Sequence, residues 1–183
     1  MKKCVFFDRD GIVNKSPGAG YVERWADFYL MPEFPDILRM VHDMGYEAVI
    51  ITNQRGVARG LITLETLEEI HRNLQALLAE KYNLRLLDIF CCPHGEGECE
   101  CRKPKPGMIL EAARRHNLDL AASWMIGDNE KDVEAGRRAG CRTILVAPGK
   151  PRTKAEYTAE DMKSLESLLK RVLEDGKAQS AKR

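Results

Sequence analysis

Asp8 and Asp10 stand two residues apart, directly after the short apolar, β-rich run from Lys3 to Phe7. At the end of a strand, residues at that spacing face the same side. Their like charges then repel at neutral pH unless a cation lies between them or one carboxyl keeps its proton. Either arrangement does chemistry, because magnesium takes hard oxygen ligands and a protonated carboxyl serves as a general acid. A carboxylate attacking a phosphate dianion meets the same repulsion, which a divalent ion reduces. The plain alternative is an acidic turn after an edge strand; the apolar run before the pair and Gly11 after it favour a site.

Three further groups point the same way. Thr52 ends the apolar run YEAVIIT, and its hydroxyl with the backbone N–H groups near Asn53 suits non-bridging phosphate oxygens. In CRKPKPG, Arg102 and Lys103 place cations just before a helix opened by Pro106. A lysine acts as a compact charge on a transferring phosphoryl group, and an arginine grips a second part of the substrate. Asp128 follows the apolar WMIG, where it either completes a magnesium site or caps a helix, and Asp132 lies one turn further on. There Asp132 holds a metal-bound water or a neighbouring side chain.

Of six cysteines, Cys4 and Cys141 stand alone, whereas Cys91, Cys92, Cys99 and Cys101 crowd together with His94. Cys92, His94, Cys99 and Cys101 supply the ligand types and number of a closed tetrahedral zinc site, hence a structural one. Closing that loop pins Arg102 and Lys103, which follow Cys101 at once. Cys91 is the rival ligand to Cys92.

The elements that position these groups alternate. Strands are expected over Lys3–Phe7, Tyr46–Thr52, Leu86–Cys91, Trp124–Ile126 and Thr143–Val146. A helix over 33–44 presents Ile37, Leu38, Val41 and Met44, and another starts at the Thr63 cap with Leu64, Leu67, Ile70, Leu74 and Leu77 on one face. Further helices run from Pro106 to about His116, from about Glu130 to Gly140, and from Ala159 to about Glu174. This order predicts an α/β, doubly wound parallel sheet, Rossmann-like, whose ligands gather outside the carboxyl ends of the strands. Asp8, Thr52 and Asp128 all lie at such ends. The 183 residues suit a single catalytic domain over 1–175, with 176–183 a frayed tail.

A hydrophobic share of 44%, a charged share of 31% and a net charge of +1 fit a globular chain with no call on nucleic acid or membrane. The expected setting is a monomer in the cytoplasm.

In order, FFDRDGIVN, IITNQ, RKPKPG and MIGDNEKD resemble the haloacid dehalogenase-like superfamily of phosphohydrolases over roughly residues 3–150. The resemblance implies Asp8 as nucleophile, Asp10 as general acid and base, and Thr52 and Lys103 as phosphoryl-stabilising groups. It also implies magnesium on the Asp8 carboxylate, the Asp10 backbone carbonyl and Asp128. An aspartate at position 10 suits a leaving alcohol that needs a proton, so phosphatase chemistry is favoured. Within the superfamily, DRDGIVN, GYVERWADFYLMP, TNQRGVARG and CPHGEGECECRKPKPGM resemble the heptose bisphosphate phosphatase family, capless enzymes with a zinc loop, and the related histidinol-phosphate phosphatases. The implied substrate is a small phosphorylated metabolite, a sugar bisphosphate, contacted by Asn53, Gln54, Arg55, Arg102 and Asn129. The implied pathway is bacterial surface-glycan precursor synthesis. Histidinol phosphate is the alternative substrate, and a zinc-stapled binding module without catalysis is the alternative of another class.

Arg55 stands where that family usually has serine, and Asn129 where it often has lysine. Arg55, with Arg59, is therefore expected to supply cationic contact to a second phosphate. Neutralising Arg55 should raise KM for a bisphosphate far more than for a monophosphate in steady-state assays; equal increases would reject the contact.

Overall fold

The strand β1 (Cys4–Phe7) is buried at every residue, and its alternating side chains feed two separate cores. Val5 and Phe7 pack on one side, Cys4 and Phe6 on the other, as a strand covered on both faces requires. This computed structural model describes residues 1–149 and 151–180. After β1 come α1 (Phe34–Asp43), β2 (Glu47–Asn53), α2 (Leu64–Tyr82), β3 (Asp88–Cys92), α3 (Gly107–His116), β4 (Trp124–Gly127), α4 (Glu130–Ala139), β5 (Arg142–Val146), β6 (Tyr157–Ala159) and α5 (Met162–Ser180). The strands form one parallel sheet in the order β3-β2-β1-β4-β5-β6.

Helices α1, α2 and α5 cover the Val5–Phe7 face through Ile37, Leu38, Leu67, Leu74, Leu165 and Leu169. Helices α3 and α4 cover the other face through Met108, Ile109, Ala112 and Ala135. The chain builds β2 and β3 on one side of β1, then returns to lay β4 on the other. At such a reversal the connections leave opposite faces and open a crevice above the strand ends. Asp8 follows β1 and Asp128 follows β4, so both border that crevice.

Local signals set the boundaries. The Thr63 hydroxyl accepts a 3.1 Å bond from the Thr66 N–H, and Asn83 ends α2 in the left-handed region at φ 53°. At α4, Asn129 and Asp132 form a capping box. Pro35 and Pro106 sit at helix starts, where a missing N–H leaves no bond unmade.

Two expectations are corrected. Ala159 does not begin a helix: Tyr157–Ala159 pairs with Ile144–Val146 as β6, and α5 starts at Met162, where Asp161 accepts from the Ser164 N–H at 2.8 Å. A three-residue strand is too short to show an alternating pattern. On α2, Leu64 is 43% exposed while Leu78, not Leu77, joins the core. The 3.6-residue repeat drifts off a strict stripe over a helix of 19 residues. Helix α5 runs to Ser180, and the last residues of the expected frayed tail, 181–183, lie outside the described residues. Among the described residues no helix is long and apolar enough to cross a membrane.

Leu78→Ala should therefore lower unfolding free energy by about 2–5 kcal/mol in denaturant titration. Leu64→Ala should stay within about 0.5 kcal/mol, and the reverse ranking would contradict this packing.

Candidate active site

Lys103 lies in the crevice floor at 3% side-chain exposure. Its ammonium has three donors, and all are committed: to Asp8 Oδ1 at 2.6 Å, to the Ile51 carbonyl at 2.8 Å and to Asp132 Oδ1 at 2.6 Å. The Asn53 amide clasps the lysine backbone from both sides, donating to Lys103 O and accepting from Lys103 N at 3.0 Å each. Burial works against the Lys103 charge, but Asp132 and Asp8 more than offset it and raise its pKa above the ordinary lysine value. The lysine stays a cation.

Asp8 continues β1 toward β4, its N–H donating to the Ile126 carbonyl at 2.8 Å. Burial pushes its carboxyl up to about 7 against the pull of Lys103, with Asp132 and Asp10 adding to the rise. Asp128 is pushed up to about 6, first by burial and then by the Asp8 charge. Oxygens of Asp8, Asp128 and Asp132 all lie within 4.8 Å of one another. The approach of Asp128 depends on Gly11, which holds φ +97° and whose absent Cβ would fall 2.1 Å from Asp128 Oδ2.

Asp10 faces a different set of partners. Arg9 donates to it through Nε and Nη2 at 3.0–3.2 Å, Asn14 at 2.9 Å and Gln54 at 2.9 Å. Arg9 itself is fully buried, and its Nη1 lies 3.2 Å from His71 Nε2. Gln54 also donates to Thr52 Oγ1 at 2.9 Å. Thr52 and Asp8, Asp10, Lys103 and Asp128 thus share one crevice. Sequence reasoning did not single out Arg9, Asn14 or His71; the Arg inside DRDG was the available signal.

The donor chemistry fits a hard divalent ion. Asp132 gives Oδ1 to Lys103 and Oδ2 to the Asn129 N–H, whereas Asp8 meets Lys103 through Oδ1, which leaves its second oxygen and Asp128 with charges resisted by burial. The Asp10 carboxylate is turned to Arg9, Asn14 and Gln54 and is not part of this group of oxygens.

The second cluster gathers Cys92, His94, Cys99 and Cys101. Their S···S separations are 3.3–3.5 Å, and His94 Nδ1 lies 3.4 Å from Cys101 Sγ and 3.6 Å from Cys92 Sγ. Zinc bonds of about 2.0–2.3 Å set donors roughly 3.5–3.8 Å apart in a tetrahedron, so these four atoms fit that ion with little movement. Cys91 is outside this set and packs against the helix α2 side of the sheet.

The remaining predicted contacts separate. Arg102 donates to the His94 carbonyl at 3.4 Å and borders a cavity of about 330 Å³ with Lys103, Lys105, Lys131, Arg138 and Glu96. Arg55 lies 3.8 Å from Glu96, and Arg59 is exposed. Asn129 uses its side-chain oxygen on the Lys131 N–H at the start of α4.

Comparison with known proteins agrees with this geometry. A D-glycero-beta-D-manno-heptose-1,7-bisphosphate 7-phosphatase of Pasteurella multocida is 38% identical over 183 residues, covering 93% of this chain and 98% of its own. The chain belongs to the haloacid dehalogenase-like hydrolases. A family model described as HAD-hydrolase-like matches residues 100–174. Another member of the family, a D-glycero-alpha-D-manno-heptose-1,7-bisphosphate 7-phosphatase of Photorhabdus laumondii, is 40% identical over 161 residues, with 81% of this chain and 85% of its own covered. The D,D-heptose 1,7-bisphosphate phosphatase of B. bronchiseptica, solved with magnesium and phosphate, superposes with a TM-score of 0.79 at 33% identity, over 91% of this chain and 97% of its own. The fold expected from the sequence, a doubly wound parallel sheet of the haloacid dehalogenase type, is the one observed.

The raised carboxyls carry a pH signature. Asp8 and Asp128 hold protons in the folded state that the unfolded chain, near 3.8, has already released. That contribution is lost as pH rises through about 6 and 7. His71, pulled down to about 3 chiefly by burial, acts with the opposite sign, regaining stability as pH rises to its ordinary value of 6.5 and offsetting part of the fall. In magnesium-free buffer the thermal midpoint should therefore fall as pH rises from about 5.5 to about 7 and level off above, and Asp8→Asn should flatten the slope. An unchanged slope in the variant would contradict the assignment.

Proposed function

We propose that this chain is a magnesium-dependent phosphatase that removes the C7 phosphate of D-glycero-D-manno-heptose 1,7-bisphosphate through a phosphoryl group carried on Asp8. Its place would be bacterial surface-glycan precursor synthesis. The observation that carries the reading is the Asp8 carboxylate, fixed 2.6 Å from the buried Lys103 ammonium and facing Asp128. Relatives at 38–40% identity over most of the chain bear the corresponding name.

In this reading an Asp8 oxygen attacks phosphorus and the bond to the sugar oxygen breaks. Asp10 protonates the departing alkoxide, becomes a carboxylate and then takes a proton from water. That water attacks the aspartyl phosphate, releasing inorganic phosphate and restoring Asp8. Lys103 compensates charge on the transferring group. Thr52 accepts from Gln54, so its own proton is available to a phosphate oxygen. Bound magnesium, held by Asp8, Asp128 and the Asp10 carbonyl, supplies positive charge that lessens repulsion between carboxylate and phosphate.

We assign a structural zinc ion to Cys92, His94, Cys99 and Cys101, anchoring the segment that continues into Arg102 and Lys103. Arg102 and Arg55 are assigned to the distal phosphate. The cavity is bordered by Arg102, Lys105, Lys131 and Arg138, of which Lys105, Lys131 and Arg138 are paired with Glu100, Glu96 and Glu134. Arg102, which meets the His94 carbonyl, is the cation there that suits an anionic group, so histidinol phosphate, with an amine there, is not favoured. Asn53, Gln54 and Asn129 act mainly as props, since their side chains are engaged by Lys103, by Asp10 with Thr52, and by α4. An inactive binding module has no need of the Asp8, Asp10, Lys103 and Asp128 set.

A phosphate-release panel with magnesium should compare both anomers of the heptose bisphosphate with fructose 1,6-bisphosphate and histidinol phosphate. One heptose anomer should lead in kcat/KM by about tenfold or more, Asp8→Asn should lose about a thousandfold or more, and elemental analysis should find one zinc per chain. A histidinol phosphate lead would overturn the substrate, and Asp8→Asn turning over at the parent rate would overturn the mechanism.

A further inference from the structure

We infer that His71 is a positioning residue for the reaction: it fixes the Arg9 guanidinium, and through it the Asp10 carboxylate that serves the leaving group. The inference rests on the assignment of Asp10 given above.

An arginine with no exposed surface must have its charge paired and its donors occupied. Arg9 meets this requirement at two ends of its planar fork. One edge, Nε and Nη2, grips both oxygens of Asp10 at 3.0–3.2 Å. The opposite nitrogen, Nη1, meets His71 Nε2 at 3.2 Å. Because the guanidinium is rigid and flat, anchoring both ends fixes its plane. With the far end free, the plane can tilt and carry the Asp10 carboxylate with it.

His71 is suited to the task by its surroundings. It sits on α2, whose inner face is held by Leu67, Ile70 and Leu74 in the core. Its support therefore comes from a different element than the turn it braces. Burial first, and then the Arg9 charge, hold the imidazole pKa down to about 3, with Asp10 opposing weakly. At neutral pH the ring is uncharged. Its Nε2 accepts from Arg9, which places the ring proton on Nδ1.

Asp10 is also held by Asn14 and Gln54 and keeps 24% of its side chain exposed. A carboxylate serving as acid must point at one oxygen of the substrate, and a small error in aim lowers the rate of that transfer without weakening binding. His71 thus bears on turnover and not on affinity. In the phosphorylation of Asp8 it matters only where the leaving group needs a proton, whereas the later attack of water, from which Asp10 takes a proton, is common to all substrates.

That selectivity gives the test. Wild type, His71→Phe, His71→Gln and Asp10→Asn are compared on two substrates. The first is the alkyl phosphate with the highest kcat/KM in the panel, and the second is p-nitrophenyl phosphate, whose leaving group departs without a proton. The rate read on each is that of the first turnover, the release of alcohol or p-nitrophenolate as Asp8 is phosphorylated. His71→Phe removes the acceptor and keeps the volume; its first-turnover rate on the alkyl phosphate should fall about tenfold or more. The substrate concentration that half-saturates this rate, and the first-turnover release of p-nitrophenolate, should stay within about threefold. His71→Gln, whose amide oxygen can accept from Arg9, should return both within about threefold of wild type. Equal loss on both substrates, or no loss while Asp10→Asn discriminates between them, overturns the role of His71 and leaves Asp10 standing. If Asp10→Asn itself fails to discriminate, the acid assignment falls and His71 with it. If His71→Phe does not fold, ¹⁵N NMR of the wild-type imidazole decides: a ring protonated at Nε2 near pH 7 overturns the inference.

Discussion

A buried ammonium whose every donor is taken is the constraint on which the crevice depends. Lys103 can remain charged there because Asp8 and Asp132 stand at 2.6 Å, and those carboxylates can approach each other because the lysine lies between them. With Asp128 the floor holds three carboxylates against one ammonium, so two negative charges remain uncompensated. That excess, present when all three are ionised, matches a divalent cation and adds to the rise that burial gives Asp8 and Asp128. The neighbouring devices serve the same end. Asn53 clasps the lysine backbone, the Cys/His loop ends one residue before Arg102, and Gly127 leaves room for Asp132, which a Cβ would meet at 2.3 Å.

The sheet order turns scattered sequence positions into one site. Strands β1, β2 and β4 are neighbours in space, and the groups ending them, Asp8, Thr52 and Asp128, converge at the switch between β1 and β4. Two unequal cores hold these strands from both faces, so the carboxyl ends are presented by rigid elements and not by loops. Between β2 and β3 the described chain is spent on α2 and its flanking loops. No separate domain covers the crevice there, so its rim is formed by loops such as the one that carries Arg102.

Much of this could be read from residue types and spacing. Apolar runs ending in acidic or hydroxyl residues marked the strand ends, and ligand types alone marked the Cys/His cluster. What escaped has physical reasons. Strand β6 is three residues long and has no period to detect. Leu64 and Leu78 exchange roles with the expected positions because the helical repeat is not a whole number. Arg9 sits between two aspartates, where its burial is invisible until the turn is seen. His71 joins it across 62 residues, a contact no local motif encodes. Asn53, Gln54 and Asn129, expected at the substrate, have side chains engaged by Lys103, by Asp10 with Thr52 and by α4, partners evident only in three dimensions.

Asp132 divides its two oxygens between different duties. Oδ1 meets Lys103, while Oδ2 accepts from the Asn129 N–H at 3.0 Å and closes the first turn of α4. A single side chain thereby joins the unwinding of a helix end to the charge balance of the crevice. Loosening or tightening this turn moves the carboxylate that faces Lys103, so the firmness of the helix end and the ionic balance of the crevice floor are coupled at this corner.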